Sequence, residues 1–250
     1  QPPAYGKAAK SRLNKTRALF VAPMVTFVVA AVSFTFTLSE PLMAVFLSLL
    51  ALGSAIRTGV PPNSVGPQGL SFESLMAVGC ALTALVGGAT TGAYAYESYG
   101  QPFLAMSLGR SYDNVLASFP GAAYADGGQF RFASSSKVDV SKAIGYQDIQ
   151  TYCVAPVMDS GDAQLRRVSF WAVGENCCGS RGDFRCHDAG TAGAHSAVRA
   201  PDDGIFSRPK MQYIRAAKQA AAEYGLNVGV NAIFVHWVAD PRKVQWTTFA

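Results

Sequence analysis

The stretch SLMAVGCALTALVGGATTGAYAY, residues 74–96, decides how this chain is read. It runs without a charged side chain or a histidine and exceeds the ~20 residues that cross a hydrocarbon core of ~30 Å. Two more apolar runs precede it, ALFVAPMVTFVVAAVSFTFTL at 18–38 and LMAVFLSLLALGSAI at 42–56. No long apolar run follows. The pattern predicts a membrane protein with three N-terminal transmembrane helices, at 18–38, 41–57 and 74–96. An α+β, disulfide-stapled extramembrane domain is expected at 101–250.

Charge sets the expected orientation. The arm at 1–17 carries Lys7, Lys10, Arg12, Lys15 and Arg17 and no acid, as the retained flank of a first span does on the positive side of a membrane. A signal-peptide n-region is the alternative. The following run is longer than a signal core, and Ser39-Glu40-Pro41 is a poor cleavage site. The chain begins with Gln and reads as already processed. Ser39 can cap the second helix and Pro41 suits its first turn. That helix is short, and Arg57 can snorkel to extend it. The loop at 58–71 is rich in Pro, Gly and Ser, which excludes a helix. Ser71 can cap the third. Three crossings put the arm and Arg57 on one side and the domain on the other. A re-entrant second segment would put the domain on the arm's side.

Six of the 21 basic residues and three of the 16 acidic ones lie in the first 100 residues, leaving 15 and 13 in the domain. The domain is therefore near neutral. It shows no basic face with interleaved aromatics, so no nucleic-acid partner is expected. The partners implied are the lipid bilayer and other membrane protein subunits. Ala81, Ala84, Gly88 and Gly92 form a small-residue face on the third helix. Such faces let helix backbones approach, within this chain or against a partner.

Within the domain, residues 111–117 read as a short helix. Residues 129–133, 137–140, 149–157 and 167–173 read as strands. Asp159-Ser160-Gly161-Asp162 is expected to turn the last two into a hairpin, although its first three residues also match an aspartic-protease triplet. Residues 207–224 form the clearest helix, capped by Ser207 and ended by Gly225, and 227–238 a strand broken by Asp240-Pro241. The sum is a mainly antiparallel sheet with one or two helices on it.

The chemistry-bearing residues are few. Cys80 reads as a packing residue of the third helix. Cys153, Cys177, Cys178 and Cys186 are an even set in one domain, which favours two disulfides outside the cytosol. Vicinal cysteines rarely bridge each other. Cys153 is expected to pair with one of Cys177 and Cys178, and Cys186 with the other. The segment 174–201 has no periodicity and is long for a loop, and the disulfides would staple it. The alternative is a zinc site of Cys177, Cys178, Cys186 and His187, without the usual Cys-x-x-Cys spacing. His195 and His236 have no partner at ligand spacing. Arg181-Gly182-Asp183 is an adhesion-type tripeptide between the cysteines. Asn14-Lys15-Thr16 is the one glycosylation sequon, and it lies in the arm. No P-loop, Gly-x-Ser-x-Gly or Gly-x-Gly-x-x-Gly occurs, so no catalytic residue or resident metal is expected.

Several motifs resemble dinoflagellate membrane proteins. They are Tyr152-Cys153-Val154-Ala155-Pro156, Phe170-Trp171-Ala172-Val173-Gly174, Cys177-Cys178-x-x-Arg181-x-x-Phe184-x-Cys186, and Val235-His236-Trp237-Val238-Ala239-Asp240-Pro241, with a helix holding 216–224 before the last. The resemblance covers roughly 150–245. In such relatives a further span follows the last motif, whereas this chain stops at Ala250. Cys177-Cys178-Gly179 also resembles tetraspanins, from which the short link between the first two spans departs. The dinoflagellate resemblance implies a non-catalytic accessory subunit of a thylakoid photosystem I–light-harvesting supercomplex, with a stromal N-terminus and a luminal domain. It implies no required cofactor, and only peripheral chlorophyll, carotenoid or lipid contacts. The alternatives are an adhesion or receptor-like membrane protein and a luminal redox or zinc protein.

Overall fold

A computed structural model describes residues 20–36, 41–59, 65–66, 69–70, 72–161, 167–204, 206 and 208–243. The basic arm with its sequon, the capping Ser39, Ser71 and Ser207, and Asp162 lie outside the described residues. The chain divides into two compact units, Gln1–Gly100 and Gln101–Ala250.

The first unit contains α1 (Ala22–Phe36), α2 (Pro41–Gly59), a two-rung ladder of β1 (Val65–Gly66) with β2 (Gly69–Leu70), and α3 (Phe72–Ala95). The expectation of three transmembrane helices is corrected here. Among the described residues only one helix is long and apolar enough to cross a membrane, the path from Phe72 to Leu108. That path includes a π-turn at Tyr96–Gly100 and α4 (Gln101–Leu108). The described α1 has 15 residues, about 22 Å at 1.5 Å per residue, which falls short of a ~30 Å core. The apolar part of α2 is Leu42–Arg57 and is also short. Apolar composition is common to all three runs, but length separates them.

Small side chains explain how α1 meets α3. A Cβ placed on Gly88 would overlap the Phe27 carbonyl oxygen, and one on Gly92 would overlap that of Ala31. Ala30 and Ala81 are buried, and Ala84 is half-buried. The small-residue face therefore packs within the chain. Thr35 Oγ1 bonds the Ala31 carbonyl at 2.8 Å and reaches the Gly92 carbonyl at 3.4 Å. Cys80 is a half-buried free thiol.

The second unit is a mixed eight-stranded sheet in the order β3-β4-β9-β10-β8-β7-β5, with β6 also on β7. Its strands are β3 (Arg110–Val115), β4 (Gly127–Phe132), β5 (Ser136–Val138), β6 (Ile144–Gln147), β7 (Thr151–Asp159), β8 (Arg167–Glu175), β9 (Ser196–Arg199) and β10 (Asn227–Val238). The pairs β3/β4 and β8/β10 are parallel and the others antiparallel. Two expectations change. Residues 111–117 are not a helix: Tyr112 stacks on Phe130 and its hydroxyl bonds Asp126 at 2.6 Å, holding that segment as a strand beside β4. The sheet is mixed, not antiparallel through hairpins alone: β10, which follows β9 through α5 (Pro209–Tyr224), lies between β9, to which it is antiparallel, and β8, to which it is parallel.

Both faces of the central strands are buried. One carries Val154, Trp171, Val173 and Phe234 under Tyr213, Ala216, Ala217 and Ala220 of α5. The other carries Cys153, Ala155, Phe170, Val235 and Trp237 beneath Phe184, Cys186 and Ala194. A fully buried side chain of this size contributes about 2–3 kcal/mol. Gly225 (φ 65°) ends α5, and the Asp203 carboxylate accepts from the Met211 N–H at its start.

Candidate functional site: a cystine cluster beside a histidine pair

The site begins with three residues abreast. Gly145 on β6 and Gly174 on β8 flank Cys153 on β7 in register. A Cβ on Gly174 would lie 2.7 Å from Cys177 Sγ and 2.8 Å from Cys186 Sγ, and one on Gly145 would lie 3.0 Å from Cys178 Sγ. The two glycines open room for four sulfurs. These form two disulfides, Cys153–Cys178 and Cys177–Cys186. Each member of the vicinal pair reaches a different distant cysteine. The sulfurs of Cys153, Cys177 and Cys186 lie within 4.8 Å of one another, so the two bonds are neighbours. Cys153 and Cys186 are buried, whereas Cys177 and Cys178 are half-buried.

The connecting loop is held in an unusual backbone shape. Asn176, Asp183 and His187 have φ of 55°, 57° and 50°, a region that Asn, Asp and His enter more readily than other non-glycine residues. Local hydrogen bonds fix it. Thr151 N–H donates to Asn176 Oδ1 at 2.9 Å, Arg185 N–H to the Cys177 carbonyl at 2.8 Å, and Asp188 N–H to the Trp237 carbonyl at 3.0 Å.

Next to Cys186, His187 turns toward β10, where its Nε2 lies 2.8 Å from Nδ1 of His236. The same Nδ1 is 3.3 Å from the Val173 carbonyl. Burial, and then the neighbouring His187, push His236 down to about 4. Burial also lowers His187, against the pull of Asp188. The His236 ring is thus neutral at pH 7, and one proton between the facing nitrogens satisfies the pair. His236 has no partner at ligand spacing in the sequence, because 49 residues separate it from His187; in the fold it is a half-buried side chain with a satisfied ring nitrogen. His195 Nδ1 faces the Ser136 carbonyl at 3.2 Å.

The zinc set is not assembled in this oxidised form, because Cys177 and Cys186 bond each other and His187 faces His236. Arg181 pairs with Glu223 at 2.9 Å, and Asp183 with Arg185 at 2.7 Å. Gly182 N–H donates to the Ala143 carbonyl, which ties the tripeptide to the sheet. The Asp159 carboxylate accepts from the Ala117 and Ser118 N–H groups at 3.1 and 3.0 Å and from the Ser136 hydroxyl. It therefore organises three segments as a turn anchor.

A cleft of about 430 Å³ lies between the start of α5 and the irregular part of β10. Its charges are already engaged. Lys210 pairs with Asp202, and Arg199 donates to the carbonyls of Ala125 and Gly127. Comparison with protein-family models, curated proteins and solved structures finds no match for this chain.

Proposed function

We propose that this chain is an accessory subunit of a membrane protein complex, with its helical unit in the bilayer and its cystine-braced domain contacting partner subunits. One observation carries the reading: the outward surface of the first unit is apolar. Met24 and Phe36 on α1, Leu42 and Phe46 on α2, and Leu75 and Val86 on α3 all face outward, with Leu42 84% and Phe36 78% exposed. Soluble domains rarely carry contiguous apolar surface of this kind without a lipid or protein covering it. The helix from Phe72 is long enough to span. Disulfides fit a domain held outside the reducing cytosol.

The narrower form comes from the dinoflagellate resemblance. In it the complex is the thylakoid photosystem I–light-harvesting supercomplex, the arm is stromal and the domain luminal. Pigment or lipid contacts would be peripheral, along the exposed helix faces. The adhesion alternative is less favoured by the ion pairs that already hold Arg181 and Asp183. The test is alkaline carbonate extraction of source membranes followed by gradient sedimentation in mild detergent. Resistance to extraction and migration in a large complex support the proposal. Release by carbonate, or migration alone, refutes it.

A further inference from the structure

We propose that the cystine cluster is a two-electron thiol–disulfide site in which reduction of one bond moves the other. Its substrate is a dithiol reductant. Each disulfide pairs one half-buried sulfur, Cys177 or Cys178, with one buried sulfur, Cys186 or Cys153. An incoming thiolate therefore meets Cys177 or Cys178 first.

Attack on Cys177 Sγ forms a mixed disulfide, breaks the bond to Cys186, and leaves Cys186 as a thiolate. The reductant's second thiol then resolves the mixed disulfide, which closes the reductant's own disulfide and frees Cys177 as a thiol. The Cys186 thiolate is left buried, within 4.8 Å of Cys153 Sγ. A thiolate buried in an apolar cluster is unfavourable, and the adjacent disulfide offers it a reaction. Cys186 attacks Cys153 Sγ, the Cys153–Cys178 bond breaks, the Cys153–Cys186 bond forms, and Cys178 departs as a thiolate that takes a proton from solvent. The exchange consumes no further electrons. The product holds one disulfide between the two buried cysteines and a vicinal dithiol at Cys177 and Cys178. Gly174, with no side chain between Cys177 and Cys186, and Gly145 beside Cys178 leave the space in which these sulfurs move.

The test uses the full chain in detergent with one equivalent of dithiothreitol, a quench with N-ethylmaleimide, and tryptic peptide mapping. Cleavage isolates Cys153 in residues 143–166, Cys177 and Cys178 in 168–181, and Cys186 in 186–199. The native form links all three peptides. The expected product is 168–181 carrying two labels, with 143–166 joined to 186–199, in at least half of the reduced molecules. Labels on Cys177 and Cys186 alone, on Cys153 and Cys178 alone, on all four together, or on none overturn the proposal.

Discussion

Gly88 and Gly92 show what a single missing methyl group does. The backbones of α1 and α3 approach so closely that any Cβ at either position meets a carbonyl oxygen well inside van der Waals contact. Gly88→Ala should lower the thermal midpoint of the full chain in detergent by several degrees. Gly79 has open space around it, so Gly79→Ala should be neutral or stabilising by up to about 1 kcal/mol, the helix propensity difference. Equal effects at the two sites would contradict the packing. The two buried tryptophans offer a second comparison. Trp237 Nε1 donates to the Ala194 carbonyl at 3.0 Å, whereas Trp171 Nε1 has no partner among the described residues. Replacing each by Phe removes similar volume, so Trp237→Phe should cost about 1–3 kcal/mol more in chemical denaturation, because a buried carbonyl loses its donor. The small-residue face and the disposition of the cysteines were legible at this scale, since glycine spacing and cysteine parity are written in the chain. The contact of His187 with His236 was not, because only the pairing of β10 and the return of the loop bring them together.

At the scale of elements, β10 and α5 followed from periodicity, with β10 at its expected bounds and α5 ended by Gly225 as expected, although its N-cap position is Arg208 without a side-chain cap. Residues 110–115 did not, since a six-residue segment with mixed character takes its shape from the neighbour it pairs with, here β4. Asp159 joins the end of β7 to the segments at 117–118 and 136. Burial raises its carboxyl, but hydrogen bonds from Ser136, Ser118 and Ala117 outweigh that and hold it below the usual carboxylate range. Its contribution is thus complete above about pH 4 and is lost as pH falls through its folded value. Asp159→Asn should destabilise the domain by about 2 kcal/mol at neutral pH and flatten the acid limb of a pH–stability curve. His236 acts in a separate window. Its folded value near 4 lies below the unfolded ~6.5, so the unfolded chain binds the proton first, and stability falls as pH drops from about 6.5 to 4. His236→Gln should shrink that slope, His187 keeping its own share because it too is lowered, while leaving the Asp159 limb in place. Near-UV circular dichroism of melts across pH 3–8 reads both.

At the scale of the whole molecule, the division near residue 100 was legible from the shift between apolar runs and mixed composition. The number of crossings was not, because hydropathy reports that a segment is apolar without reporting how many of its residues stay in one helix. Among the described residues α1 and α2 are apolar but shorter than a span, and their outward side chains are exposed. Under the proposed function, a bilayer together with partner subunits covers these faces. Sedimentation of mildly solubilised source membranes, followed by mass spectrometry of every fraction containing this chain, tests it most directly. The chain should sediment with a constant set of membrane subunits at a mass several times its own. Recovery of the chain by itself, in the soluble or monomeric fractions, would contradict it.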